Sequence, residues 1–324
     1  MRKDYIAQWY EVREEQGISD RIHCFVHQLQ EGKTDWYDFR HRDTDGIGML
    51  ATMRERLGYP PSTLPCSRDP SEPGFWHTRR SVRRLPRNNT PKRVHWNVAT
   101  QARQPDMAEP EFRLLSPATV TALTHHAQQH GVSLASLMLA SLNQTVFQQY
   151  LKPDSQAWWF YPVNIRNAAN AHERSNLSSG FYLCLNQHST AEQIHAQVKE
   201  KLTAKEHWWL WKMAHIGRWI GKPGVRWIYR RISRSQFYLG SFSYLGDWSL
   251  PLHTDHIIGV CGAGSANYPI ATGITECNGH ISLALKFHAS ISATQPPPPA
   301  AEPTLQQHCL THWQHNLRSL IDHV

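Results

Sequence analysis

A histidine followed four residues later by aspartate and glycine is the feature of this sequence best suited to chemistry. The segment runs His41-Arg-Asp-Thr-Asp45-Gly46. An imidazole titrates near neutral pH, so it can act as a general base once its ring is held in one orientation. Aspartate and glycine are typical turn residues and can provide that support. The spacing therefore predicts a fixed base at His41, held by a turn that contains Asp45 and Gly46.

The residues around this motif predict a strand before it and a helix after it. Tyr37 and Phe39 alternate with polar residues up to His41, as in a half-buried strand. After Gly46 the apolar residues change to helical spacing, and Gly58 is a suitable end for that helix. The apolar residues with this spacing are Ile47, Leu50, Met53 and Leu57. The motif is thus expected to join the end of a strand to the start of a helix.

The motif resembles the H-H-x-x-x-D-G signature of the chloramphenicol acetyltransferase-like superfamily. This superfamily includes peptide-synthetase condensation domains and bacterial wax ester synthase/diacylglycerol acyltransferases. Arg40 stands where the signature has its first histidine, and the second, catalytic histidine corresponds to His41. The resemblance implies an α+β fold, with a mixed sheet and flanking helices, in which the N-terminal half is reduced.

Three later segments are similar to the superfamily in the same order. Residues 160–166 resemble its P-V-x-x-R strand, residues 175–185 its G-N-type strand, and residues 243–246 its S-N-x-G segment. The resemblance implies that the Ser243 hydroxyl stabilises the oxyanion of the reaction, although Tyr244 replaces the asparagine. The substrate-binding residues implied in this way are Asn164, Arg166, Asn176, Tyr244 and Gly246.

One departure from the superfamily concerns the partner of Asp45. Superfamily members carry a much longer segment ahead of the motif, and in many of them an arginine from that segment pairs with the motif aspartate. Only 40 residues precede His41 here. Arg166 is a candidate substitute. Three explanations fit the short segment ahead of His41: the N-terminal half is lost, the sequence is a fragment, or the protein is a reduced variant. A second copy of the chain or a partner chain could complete the N-terminal half.

Composition shifts along the chain predict three parts. Residues 59–113 are a basic linking segment rich in Pro and Arg, and the resemblance implies a partial N-terminal acyltransferase subdomain at residues 1–58 and a C-terminal acyltransferase-like subdomain at residues 114–324. In the third part we expect helices at 116–131, from 133 and from 190, strands at 157–166 and 180–187, a hairpin at 268–287, a stiff proline loop at 295–303, and a closing helix at 305–321.

Composition also limits the class of protein. Six cysteines without short spacings argue against a disulfide framework or a structural zinc site, and no metal is expected. No apolar run approaches the length of a membrane span, and the N-terminus lacks a signal-like core, so a cytoplasmic location is expected. The net charge of +8 could attract nucleic acid, but no base-reading motif accompanies it, and we expect no such partner.

Residues 208–234 combine tryptophans with basic residues. Such a segment could lie on the inner face of a membrane, or its aromatic side chains could pack into the core while the basic side chains face water. Residues 221–224, Gly-Lys-Pro-Gly, are expected to break its helix in either case. A membrane contact would favour lipid-like substrates.

The resemblance implies acyl transfer from a thioester to a hydroxyl or amine acceptor, with lipid acceptors included. The donor would be acyl-CoA or an acyl carrier protein, each acting as co-substrate, and no cofactor would be bound permanently. The alternative is a catalytically inactive relative that serves as a lipid- or protein-binding module, which the short N-terminus favours. A binding module should tolerate loss of His41.

Overall fold

The computed structural model describes residues 5–69, 71–84, 94–98, 107–153, 155–232, 238–291 and 303–322. These residues form a mixed α+β fold, as predicted. The helices are α1 (Tyr5–Glu15), α2 (Gly46–Arg56), α3 (Phe75–Arg84), α4 (Pro117–Gln129), α5 (Leu134–Tyr150), α6 (Ala191–Thr203), α7 (Glu206–His215), α8 (Gly217–Ile232) and α9 (Leu305–Ser319). The strands are β1 (Arg21–Gln28), β2 (Lys33–Arg40), β3 (Glu111–Leu115), β4 (Ala157–Asn164), β5 (Ser178–Leu185), β6 (Tyr238–Ser241), β7 (Tyr244–Asp247), β8 (His256–Cys261), β9 (Ile270–Cys277) and β10 (His280–Phe287).

The strands form two sheets. The smaller sheet has the order β2-β1-β8, with both neighbouring pairs antiparallel. The larger sheet has the order β3-β10-β9-β6-β4-β5, and β7 also pairs with β9. The pairs β4–β6, β6–β9 and β7–β9 are parallel, which makes this sheet mixed. Because β8 joins β1, the motif region shares a sheet with a strand from the distant C-terminal part of the chain.

Local sequence signals explain several element ends. Asn278 and Gly279 join β9 to β10 with φ angles of +49° and +76°, so the predicted hairpin with two positive-φ turn residues is confirmed. The side chains of Ser116, Ser133 and Thr190 accept hydrogen bonds from backbone N–H groups at the starts of α4, α5 and α6. These caps place the helices where the sequence predicted them.

Two large apolar clusters lie in the described part of the molecule. The larger cluster lies between the large sheet and α5, α6 and α9, and its largest side chains, Trp159 and Trp313, are fully buried. The smaller cluster joins α2 to β1 and β8 through residues such as Leu50, Met53 and Ile258. Burial of apolar surface is the main favourable term in folding, so these clusters fix the position of α2 and of the motif at its start.

Several elements were not predicted from the sequence. Helix α1 occupies the polar N-terminus, strand β8 was overlooked, and α3 lies inside the segment expected to be a linker. Much of the basic run at 79–93 and residues 295–302 of the proline loop lie outside the described residues. The boundaries of the three predicted parts remain a prediction.

The tryptophans of residues 208–234 do not all follow one interpretation: one is packed in the core, as the second interpretation predicted, and others are exposed, as a membrane contact would require. Trp208 is buried at 4% exposure, whereas Trp219 and Trp227 on α8 are 78% and 64% exposed. The predicted break is confirmed, since Gly221 has φ +62° and ψ −179° inside α8. Within the part of the chain that the structure describes, no helix combines the length and apolarity needed to cross a bilayer.

Candidate active site

His41 lies directly after β2, where the chain turns toward α2. Its backbone N–H donates to the Asp20 carbonyl over 2.9 Å, which holds the end of the strand. Its ring Nδ1 is 3.0 Å from the Thr44 carbonyl oxygen. A carbonyl only accepts, so Nδ1 must carry the proton and donate it to Thr44. This tautomer leaves Nε2 with the free lone pair that a general base requires.

Asn176 fixes the same histidine from the other side. Its amide nitrogen donates to the His41 carbonyl over 2.9 Å and lies 3.2 Å from both the Tyr10 hydroxyl and His41 Nδ1. Its amide oxygen accepts from the N–H and hydroxyl of Ser178. These contacts hold Asn176 against the His41 ring and backbone, and the substrate contact that the resemblance implied for Asn176 stays a prediction.

Asp45 organises the turn through four hydrogen bonds. As the N-cap of α2 it accepts from the Gly48 N–H over 2.9 Å, and it also accepts from the Leu177 N–H over 2.9 Å. Its two carboxylate oxygens accept from the two terminal nitrogens of Arg166 over 2.8 and 2.9 Å. A carboxylate with this many donors is held in one place, and so is the turn that carries His41.

Arg166 is therefore the partner of Asp45, as the sequence suggested. It is fully buried, and each of its nitrogens donates to the protein. Besides Asp45, its acceptors are the carbonyls of Glu173 and Ser175 and the side-chain oxygen of Asn164. Since a guanidinium has five N–H donors and these contacts occupy them, little is left for a substrate. The arrangement favours a positioning role for Arg166 and for Asn164.

The start of α2 also approaches the 174 region very closely. A Cβ added to Gly48 would lie 2.2 Å from the Arg174 carbonyl oxygen and 2.4 Å from Thr44 Oγ1. The Thr44 hydroxyl donates to that same carbonyl over 2.7 Å. Only glycine allows this approach, which brings the segment containing Asn176 against the motif. Gly46 has a milder constraint, because a Cβ there would lie 2.9 Å from the flexible end of Leu245.

The electrostatic environment favours neutral His41. Burial lowers the pKa of His41 below its usual value, while the Thr44 carbonyl and the charge of Asp45 act in the opposite direction. The nearby Tyr10 ring, 5.2 Å away centre to centre, contributes to this burial. A lowered pKa keeps the ring uncharged at neutral pH, which is the form that can take up a proton.

His41 opens onto a cavity of about 530 Å³ with mainly apolar walls. Its aromatic wall contains Phe160, Tyr182 and Tyr268, and the hydroxyls of the two tyrosines are 2.7 Å apart. The predicted site residues that also line it are Asp45, Gly46, Asn164, Ser243, Tyr244 and Gly246. The other two predicted residues, Arg166 and Asn176, do not line the cavity.

Ser243 and its neighbours occupy the part of the wall next to β8. A Cβ at Gly262 would lie 3.9 Å from Ser243 Oγ and 3.8 Å from Ser241 Oγ, so the two hydroxyls face the same short stretch of backbone. Tyr244 donates its hydroxyl to the Glu276 carboxylate, which ties that side chain to β9. Sequence reasoning missed Ser241, which has no counterpart in the quoted segment but lines the same cavity.

Tyr10 and Arg13 were also missed, although both line the cavity. The signal that could have found them is the spacing of Ile6, Trp9, Tyr10 and Arg13, which places all four on one face of a helix.

Among the described residues, no group of three or more His, Cys, Asp or Glu side chains is arranged to hold a metal ion.

Comparisons with known proteins add information on the fold. The sequence matches no protein-family model and no curated protein. Solved structures do match. The cyclization-docking bidomain of EpoB from Sorangium cellulosum aligns with a TM-score of 0.56 and 14% identity, over 88% of this chain and 59% of that one. This chain has the condensation-domain fold. The mixed α+β fold that the motif's resemblance implied is therefore confirmed.

Two further structures show the same condensation-domain fold. The condensation domain of the Monacolin K polyketide synthase MokA aligns with a TM-score of 0.52 and 9% identity, over 90% of this chain and 70% of that one. The starter condensation domain of rhizomide synthetase RzmA, in complex with C8-CoA and Leu-SNAC, aligns with a TM-score of 0.51 and 12% identity, over 89% and 65%. The chain thus spans roughly 60 to 70% of the length of these domains.

Proposed function

We propose that this protein transfers an acyl group from a thioester to a hydroxyl or amine acceptor, with His41 as the general base. The observation that carries the proposal is the hydrogen bond between His41 Nδ1 and the Thr44 carbonyl, at the wall of the large cavity. It leaves Nε2 as the basic nitrogen of a neutral ring. The pair formed by Asp45 and Arg166 holds the turn, and Asn176 holds the His41 backbone.

The reaction needs one base and no covalent enzyme intermediate. His41 Nε2 removes the acceptor proton as the acceptor oxygen or nitrogen forms a bond to the thioester carbonyl carbon. The carbonyl π electrons move to oxygen and give a tetrahedral oxyanion. When that oxyanion collapses, the C–S bond breaks, and the thiolate takes the proton back from His41. A base in this role contributes about 10²- to 10⁴-fold to the rate.

The oxyanion requires a hydrogen-bond donor, and Ser243 supplies it in this proposal. Its hydroxyl lines the cavity that His41 also lines, and Ser241 lies beside it. A hydroxyl can rotate its proton toward a developing negative charge. Tyr244 is a weaker candidate because its hydroxyl already donates to Glu276. Gly246, at φ +76°, keeps this part of the wall free of a side chain.

The cavity walls favour an apolar acyl group. Aromatic and aliphatic side chains dominate the lining, and apolar pockets of this size usually hold molecules with a large apolar part. Acyl-CoA or a phosphopantetheinyl carrier protein are the donors we propose, and one similar structure holds C8-CoA. A lipid is one acceptor of the required chemistry.

The proposal also includes a cytoplasmic location with contact to a membrane surface. Trp219 and Trp227 project into solvent from α8, and Arg218 and Arg231 lie over their rings. Tryptophan favours the boundary between hydrocarbon and water, and arginine is attracted to anionic headgroups. Self-association, or association with a partner chain, is a further part of the proposal. A monomeric mass in solution that coincides with full activity would contradict that part.

Thiol release tests the proposed reaction. The donors are acyl-CoA thioesters of increasing chain length, with alcohol, amine and lipid acceptors, and the proteins are wild type, His41→Ala and His188→Ala. His188 is exposed in the loop before α6 and serves as the matched control. We expect acceptor-dependent release that falls about 10²- to 10⁴-fold in His41→Ala and is unchanged in His188→Ala.

The same experiment separates catalysis from the alternative of a binding module. A binding module would bind acyl-CoA in a calorimetric titration but release no thiol with any acceptor. Its affinity for acyl-CoA would be the same in His41→Ala as in wild type. Equal release by wild type and His41→Ala would show that His41 is not the base. Either result would overturn the proposed reaction.

A further inference from the structure

A second cavity, of about 480 Å³, lies apart from the one that contains His41. It is bounded by β1, by the loop that follows α1, by residues 107–109 and by the end of β10. In contrast to the first cavity, most of its lining is polar. Its ionisable lining residues are Glu14, Asp20, Arg21, His23, Arg40, Glu109 and Lys286.

Lys286 is the unusual member of this lining. It is 1% exposed, and among the described residues its ammonium donates only to the Arg21 carbonyl, over 3.2 Å. No carboxylate of the described residues lies within 4 Å of Lys286 Nζ. A buried cation without a close counter-ion loses hydration free energy that the protein does not return. Burial lowers the pKa of Lys286 to about 8, so it is still mostly charged at pH 7.

His23 faces the same space from β1. Its Nδ1 lies 2.9 Å from the Asp38 carboxylate, yet burial, and next the charge of Lys286, lower the pKa of His23 to about 4. Lys286 and His23 thus line the same cavity, and the charge of Lys286 disfavours protonation of His23. An anion in the cavity would supply the ion-pair partner that Lys286 lacks among the described residues.

The remaining charges define the kind of anion. The cavity lining contains three cations and three carboxylates, and two of the cations already have partners: Arg21 lies near Asp38 and Arg40 near Glu14. A polyanion such as a nucleotide would meet the carboxylates of Asp20 and Glu109. A ligand with one carboxylate and a few hydrogen-bond donors would instead satisfy both Lys286 and these acceptors. Since one water occupies about 30 Å³ of liquid, a cavity of about 480 Å³ has room for roughly sixteen waters, which is more than a small hydroxy or amino acid needs.

We propose that this cavity binds a small carboxylic acid that carries hydroxyl or amino groups, with its carboxylate paired to Lys286. The site is separate from the acyl-transfer chemistry. Arg13 stands between the two cavities, because it lines the first and donates to the Ser19 and Gly264 carbonyls, which border the second. Binding here does not require His41.

Calorimetry with hydroxy and amino acids tests this site. The probes are lactate, glycerate, serine and threonine, each compared with its neutral amide and with citrate as a polyanion. The proteins are wild type, Lys286→Met and Lys222→Met. Lys222 is a partly exposed lysine on α8 and serves as the matched control. We expect at least one acid to bind ten-fold or more tightly than its amide, and Lys286→Met to lose that difference while Lys222→Met keeps it.

Three results would overturn the proposal. They are equal binding of acid and amide, wild-type affinity in Lys286→Met, and the absence of binding by every acid in the set. If Lys286→Met does not fold, NMR titration of wild-type Lys286 replaces it. The pKa of Lys286 should then rise from about 8 when the preferred acid saturates the protein, and an unchanged pKa would count against the site.

Discussion

Arg166 and Lys286 are both buried cations, and they have opposite surroundings. Arg166 is saturated: two of its bonds reach Asp45 and the others reach neighbouring oxygens. Among the described residues, the Lys286 ammonium has one carbonyl as its hydrogen-bond acceptor, and it lines a cavity. A saturated buried cation holds neighbouring segments in place, whereas an unsaturated one leaves bonding capacity for a ligand. The difference separates the part of the molecule that positions His41 from the part that we propose binds a carboxylate.

Replacing each cation by methionine should give opposite results. Arg166→Met leaves the Asp45 carboxylate buried without its partner, and we expect a loss of about 3 to 5 kcal/mol in the free energy of unfolding. Lys286→Met removes an unpaired charge and should be neutral or stabilising. Chemical denaturation of both variants measures the difference. Arg166→Met with wild-type stability would show that the ion pair does not hold the turn.

Gly48→Ala tests the close approach at the start of α2. The added methyl group would lie 2.2 Å from the Arg174 carbonyl, so the turn must shift. We expect about 1 to 3 kcal/mol of destabilisation and loss of most activity, with Gly74→Ala as the control because a Cβ there meets nothing within 4 Å. Circular dichroism melts and thiol release measure the two effects. Equal behaviour of the two variants would contradict the assigned constraint.

The buried histidines predict that acid weakens the fold. Burial lowers the pKa of His41, and it lowers the pKa of His207 to about 4. Each folded pKa lies below the unfolded value of 6.5, so the unfolded chain takes up protons first. For His207 the stabilisation is complete above pH 6.5 and is lost as the pH falls toward 4, at up to about 1.4 kcal/mol per pH unit, and His41 acts in the same direction.

Denaturation at a series of pH values measures this slope. His207→Leu removes one titrating group from a buried position where neither ring nitrogen has a hydrogen-bond partner among the described residues. The slope between pH 6.5 and 4 should therefore decrease in this variant. An identical slope in wild type and His207→Leu would argue against this assignment.

The smallest effect is expected at the surface of α8. The double variant Trp219→Ala/Trp227→Ala should bind anionic vesicles several-fold more weakly in a sedimentation assay and keep its melting temperature, because both side chains are exposed. Leu252→Ala removes an equally exposed apolar residue elsewhere and should bind as wild type. If neither variant differs from wild type, the membrane contact is excluded.

The motif itself was predictable because its determinants are close in sequence. The alternation before His41, the cap at Asp45 and the helical spacing after Gly46 act within about a dozen residues. The hairpin at Asn278 and Gly279 was equally local, since its turn depends on two residues that accept positive φ. Patterns of this kind need no tertiary information.

The contacts around the motif were harder to predict because they join distant segments. The pairing of Asp45 with Arg166 was proposed only through the superfamily, and the bond from Asn176 to the His41 carbonyl was not foreseen. Strand β8 completes the small sheet through pairing with β1, which no local pattern encodes. The division of the tryptophans depends on which face of each helix meets the core, and periodicity across a break at Gly221 does not define it.

The tautomer of His41 is the most direct test of the account. Long-range ¹H–¹⁵N correlation NMR at pH 7, assigned by comparison with His41→Gln, reports which ring nitrogen carries the proton. The hydrogen bond to the Thr44 carbonyl predicts a neutral ring protonated on Nδ1, with a free lone pair on Nε2. A ring protonated on Nε2, or on both nitrogens, would contradict the assignment of His41 as the base.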